Sequence, residues 1–111
     1  VIDAEGCARM LESERLRFMQ EKNAALLAGW NKTMQYAFSD SGECFHIVFQ
    51  DGRPGPVERA KAENPEIEYR MDTDTFAAIL SKEMGSMQAF TRGLVKIKAS
   101  MPDMMKLQKL S

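Results

Sequence analysis

Histidine is almost missing from this chain of 111 residues: His46 stands alone, and the two cysteines, Cys7 and Cys44, lie far apart. A hydrolytic triad needs a nucleophile and an orienting group around its histidine, and no Gly-x-Ser-x-Gly elbow accompanies His46. Metal binding needs several ligands at suitable spacing; Cys7, Cys44 and His46 supply neither a Cys-x-x-Cys nor a second histidine. No glycine-rich loop opens a helix, since Gly52 and Gly55 sit among prolines, so no phosphate cradle is expected. We therefore expect no catalytic residues, no metal and no cofactor. No apolar run approaches the 18 or so residues of a membrane span, and Val1 to Ala8 lacks the pattern of a secretory signal. Two cysteines in a domain large enough to fold without staples fit a reducing compartment, so the expected location is cytoplasmic.

Net charge is also nearly absent, at −1 overall, which speaks against the basic surface of a nucleic-acid binder. The distribution is uneven. Residues 1–80 carry a net −5, whereas residues 81–111 carry a net +4, with Lys82, Arg92, Lys96, Lys98, Lys106 and Lys109 set against Glu83 and Asp103. These cations suit an anionic lipid surface or the phosphates of a carried thioester, or else form a solvated face. The basic end is also rich in methionine, a flexible and polarizable side chain that serves equally as core filler and as the lining of an adaptable pocket.

One domain is expected over 1–111, read as N-terminal helices (1–31), strands (32–72), two helices (73–92), a strand (93–99) and a closing helix (100–111). Cys7, Met10, Leu11 and Phe18 fall on one helical face between Asp3 and Lys22, and Asn23 is a plausible cap for a second helix to Trp30. From Lys32 the period changes to two. Met34, Tyr36 and Phe38, then Phe45, Ile47 and Phe49, then Ile67, Tyr69 and Met71 alternate with polar neighbours. Asp40-Ser41-Gly42 marks one turn and Asp51-Gly52 a two-residue hairpin. The three prolines between Arg53 and Pro65 confine any strand there to an edge.

Asp72 or Thr73 caps a helix over about 74–84, with Gly85 as its stop and Phe76, Ile79, Leu80 and Glu83 on one face. Ser86 caps a short helix through Phe90, and Gly93 releases the chain into a strand whose Val95 and Ile97 oppose Lys96 and Lys98. Ser100-Met101-Pro102-Asp103 reads as a capping box opening a helix that buries Met101, Met104, Met105 and Leu107 or Leu110. Trp30 reads as a core anchor or an interface residue. Lys109-Leu110-Ser111 holds the letters of a peroxisomal address in the wrong order and is not one. The fold class is α+β: helices covering one face of a mostly antiparallel sheet.

The stretch from Tyr69 to Leu110 resembles the sterol carrier protein-2 (SCP-2) family. The likeness lies in Asp72 to Phe76, Ala89-Phe90, Gly93, Lys96-Ile97 and Met105-Lys106-Leu107, in that order. Departures are Ala99-Ser100 where relatives often have Gly-Asp or Gly-Asn, Thr91 in place of a second aromatic, and the proline-rich Arg53 to Pro65 segment. The resemblance implies a five-stranded sheet, mostly antiparallel, with an apolar tunnel beneath its helices. It further implies non-catalytic binding and transfer of a sterol, fatty acid or fatty acyl-CoA, with Phe76, Ile79, Leu80, Phe90, Met101, Met104 and Met105 facing the tunnel or its lid. Periodicity adds Met84 and Met87. The partners so implied are a lipid or acyl-CoA ligand and transient contact with an anionic membrane surface. Two other readings stand beside this one: an accessory or dimerisation module of a larger protein, and an acyl-thioesterase relying on Asp72 or Asp74.

Overall fold

The computed structural model describes residues 1–110; the last residue of the expected closing helix, Ser111, lies outside the described residues. Asp3 accepts a hydrogen bond from the Gly6 amide at 2.8 Å and opens α1 (Ala4–Phe18), which turns Cys7, Leu11, Glu14 and Phe18 inward. A second helix, α2 (Glu21–Leu27), follows at once. Its cap is not Asn23. That side chain is buried inside the helix, where its amide donates to the Arg17 carbonyl at 2.9 Å and ties the end of α1 to α2.

Five strands form one sheet: β1 (Thr33–Phe38), β2 (Cys44–Gln50), β3 (Arg53–Pro54), β4 (Ile67–Met71) and β5 (Lys96–Lys98), in the order β3-β2-β1-β4-β5. The β1–β2, β2–β3 and β4–β5 pairs are antiparallel, but the central β1–β4 pair is parallel, so the sheet is mixed and not the mostly antiparallel one expected. The cause lies in the proline-rich segment. It leaves the two-residue edge strand β3 and crosses the sheet's outer face, with a His46–Glu58 bridge and an Ala62 amide bonded to Gln35 Oε1 at 2.7 Å. The chain therefore re-enters beside β1, running in the same direction.

The β2–β3 turn has Asp51 at φ 51° and Gly52 at φ 78°, the pair of positive angles a tight hairpin needs. A Cβ on Gly52 would run into the Leu27 carbonyl. Turn chemistry and close packing thus demand glycine together.

The inner face of the sheet carries the alternating residues read from the sequence, with Met34, Phe38, Phe45, Ile47, Phe49 and Ile67 buried against the helices. Asp72 caps α3 (Thr73–Leu80) through the Thr75 amide at 2.7 Å. This helix stops short of the expected Met84, because Lys82 adopts a left-handed φ of 66°. The turn folds the chain back, and the Met84 amide donates to the Ala78 carbonyl at 3.2 Å. Helix α4 (Ser86–Thr91) then leads through Gly93, at φ 76°, into β5.

Helix α5 (Met101–Lys109) is opened by Ser100, whose Oγ accepts from the Asp103 amide at 3.2 Å. The reciprocal half of the expected capping box is replaced. Asp103 instead points into the protein, where Oδ1 accepts from Trp30 Nε1 at 2.9 Å and Oδ2 lies 3.4 Å from Lys32 Nζ. Lys106 Nζ donates to the Leu26 carbonyl at 2.8 Å. These anchors fix the rotation of α5 so that Asp103, Leu107 and Leu110 face inward, at helical spacings of four and three. Met101 and Met105 are consequently 73 % and 56 % exposed, opposite to the expectation that this helix buries them.

A cleft between the sheet and three helices

Between the helical layer and the β4–β5 end of the sheet lies a cleft of about 440 Å³, a partly open space in place of the expected tunnel. Tyr36, Tyr69, Met71 and Ile97 form its floor. Tyr36 and Tyr69 stack across the parallel β1–β4 pair, with ring centroids 5.1 Å apart and planes 17° from parallel. One wall is Phe76, Ile79 and Leu80 of α3, continued by Lys82 and Met84 of the left-handed turn. Leu107 of α5 and Leu110 just beyond its end contribute from another side, and Glu14, Arg17 and Phe18 of α1 close the circle.

Of the residues expected to meet a ligand, Phe76, Ile79, Leu80 and Met84 line this cleft. Met87, Phe90, Met101 and Met105 are exposed and outside the lining, while Met104 is half-buried and also outside it. For α5 the reason is the rotation imposed by Asp103. For α4, only six residues long, burial of Ala89 turns Met87 and Phe90 to solvent.

The lining residues that sequence reasoning missed include the floor residues Tyr36, Tyr69, Met71 and Ile97 and, with them, those of α1. A signal for those of α1 was present: Cys7, Leu11, Glu14 and Phe18 share the i, i+4, i+7, i+11 stripe, so Glu14 is an acid where an apolar residue belongs. Arg17 Nε and Nη2 grip the two Glu14 oxygens at 2.8 and 2.9 Å, and the guanidinium carbon lies 5.0 Å from the Phe18 ring centroid. Burial pushes the Tyr36 and Tyr69 hydroxyls well up from their ordinary range, and the Glu14 carboxylate adds to the shift. Both therefore remain protonated donors at any physiological pH.

The other polar candidates lie elsewhere. Asp72 is committed as the α3 cap, and the exposed Asp74 lies 3.7 Å from the N-terminal amine; neither lines the cleft. His46 Nδ1 is 2.7 Å from the Ala60 carbonyl on the sheet's other face. Among the described residues no His/Cys/Asp/Glu group could hold a metal, and no helix is long and apolar enough to cross a membrane.

A sequence model of the SCP-2 sterol transfer family matches residues 13–111. Among solved structures, sterol carrier protein 2 like 2 from Aedes aegypti is similar over 95% of this chain and 95% of its own, at 15% identity and a TM-score of 0.74. A crystal structure of sterol carrier protein 2 is similar over 92% of this chain and 87% of its own, at 14% identity and a TM-score of 0.72. A double mutant of the sec-alkylsulfatase PisA1 matches 78% of this chain at 14% identity and a TM-score of 0.66, but the match spans only 14% of that protein's length. No curated protein matches the sequence.

Proposed function

The chain belongs to the SCP-2 sterol transfer family, and from that premise we propose that its cleft binds a lipid and carries it without chemical change. Membership supports lipid binding or transfer in general. The finer reading is a sterol, fatty acid or fatty acyl-CoA held by Phe76, Ile79, Leu80 and Met84 over the tyrosine floor. One observation carries it: about 440 Å³ of largely apolar-walled space stands between two otherwise packed layers, within the size range of small-molecule sites. Burial of an alkyl chain there is worth about 0.8 kcal/mol per methylene, enough for several kcal/mol from ten carbons before ordering costs.

Exchange takes place at an anionic membrane surface met by the basic end. In support, Lys82, Arg92, Lys96 and Lys98 enter no ion pair among the described residues, and the exposed Met87, Phe90 and Leu94 lie between them in sequence. The free cysteines, Cys7 buried and Cys44 half-buried, fit a cytoplasmic setting. The test is native mass spectrometry of the protein incubated with a sterol, a fatty acid and an acyl-CoA. One-to-one adducts are the expected result; a bare mass with all three would overturn the reading.

A further inference from the structure

A charged pair in the wall of an apolar cleft requires a reason, because burying ions costs free energy that a hydrophobic substitute would spare. Glu14 is only 8 % exposed and occupies the apolar stripe of α1. Its partner Arg17 is held in two-pronged geometry and spends two of its five N–H donors on the pair. Tyr69, which lines the same cleft, has a hydroxyl with no hydrogen-bond partner among the described residues. The cleft thus presents unspent donors on Arg17 and Tyr69, an acceptor carboxylate on Glu14, and no net charge from the pair.

Resting on the reading of the cleft as a lipid site, we propose that Glu14, Arg17 and Tyr69 favour lipids ending in an uncharged hydroxyl over those ending in an ionised carboxylate. A hydroxyl both donates and accepts, so it can give its hydrogen to Glu14 and receive one from Tyr69 or Arg17. An ionised carboxylate can only accept. It meets a guanidinium already neutralised and a second carboxylate of the same sign, in a setting where desolvation magnifies both penalties. The remaining charge in the lining, Lys82, is exposed at the turn after α3, and solvent screening leaves it little weight. Glu14 therefore acts as the filter by cancelling Arg17.

The test is displacement of a fluorescent apolar probe by dodecanol and by dodecanoate at pH 8, where the acid is ionised. The wild-type protein is expected to prefer dodecanol by about tenfold. Glu14→Gln keeps a hydrogen bond to Arg17 but frees its charge, and should swing the preference to dodecanoate by a similar factor. Adding Arg17→Met to Glu14→Gln should abolish the swing. Equal or tighter dodecanoate binding by the wild type, or an unchanged ratio in Glu14→Gln, would overturn the selection. If Glu14→Gln does not fold, the wild-type ratio decides. Failure of the wild type to bind the probe or either ligand overturns the lipid-site reading itself, and this inference with it.

Discussion

Trp30 and Asp103, separated by 73 positions in the chain, meet in a buried hydrogen bond of 2.9 Å that sets how α5 lies on the protein. The carboxylate is shared with Lys32 and sits at the first turn of its helix, where negative charge is favoured by the helix dipole. Asp103→Ala leaves the Trp30 indole N–H without its acceptor and should cost about 2–3 kcal/mol of stability, by the usual worth of buried bonds to charged groups. Urea unfolding checks this. Because the anchor also fixes which side of α5 faces inward, faster proteolysis after Lys106 or Lys109 should accompany the loss.

Asp103 also predicts a pH dependence. Burial pushes its carboxyl up, but the bonds from Trp30 and Lys32 outweigh that and leave it below the ordinary value. A depressed folded-state pKa contributes stability that is fully present above the unfolded value, near 4, and disappears as pH falls through the folded one. Wild-type stability should therefore decline on acidification below about pH 5, and Asp103→Asn should decline less steeply. Asp40, lowered by the Thr73 bonds despite an upward push from desolvation, keeps some slope in the variant. Parallel wild-type and mutant curves would remove Asp103 from the account.

These long-range anchors mark the boundary of what the sequence makes legible. Local signals placed the strands through alternation, the hairpin through Asp51-Gly52, and narrowed the α3 cap to Asp72 or Thr73, because each depends on neighbours within a few positions. The parallel β1–β4 pairing depended on where the twelve-residue irregular segment between β3 and β4 crossed the sheet, which no periodicity records. Lys82 in the left-handed region ended α3 one turn early, at a residue with no intrinsic preference for that conformation. The methionines of α5 misled because helical periodicity reports that a stripe exists, whereas the Trp30–Asp103 bond decides which stripe is buried. Phe76, Ile79, Leu80 and Met84 were readable as a wall; the Glu14–Arg17 pair was visible only as an acid out of place.

Gly52 offers a sharp test of the β2–β3 hairpin. Its φ of 78° strains any residue with a Cβ, and that Cβ would also collide with the Leu27 carbonyl at the end of α2. Gly52→Ala should destabilise by about 2–3 kcal/mol, combining left-handed strain with displacement of backbone. Gly42→Ala, with φ 75° but open space around it, should cost only about 1 kcal/mol. Thermal melts of the two variants separate steric contact from backbone strain.

The basic end should govern attachment to membranes. Sedimentation with vesicles of phosphatidylcholine alone and of phosphatidylcholine with phosphatidylserine measures it. Arg92→Glu with Lys96→Glu should reduce binding to the anionic vesicles by about thirtyfold or more, at about 1 kcal/mol per cation brought to the surface and removed. Folding should be untouched, since both side chains are exposed and outside the cleft. Wild-type protein that sediments equally with both vesicle types would assign these lysines and arginine to simple solvation.

Filling the cleft separates carriage from stability. Ile79 is half-buried and borders the empty space, so an indole at this position has somewhere to go. In a close-packed core the same enlargement would cost about 1–3 kcal/mol through strain. Here Ile79→Trp should leave the melting temperature within a few degrees of wild type while reducing lipid uptake by at least about tenfold, because the added rings compete for the volume the ligand needs. Phe38→Ala provides the converse. That ring is 2 % exposed, packs 5.5 Å from Phe76 behind the wall, and is absent from the lining, so its removal should cost about 3–5 kcal/mol. Native mass spectrometry of lipid adducts, read beside calorimetry, distinguishes the two. A tryptophan at position 79 that lowered stability sharply and left lipid binding intact would mean that the ligand sits elsewhere and that the space beside α3 is ordinary core.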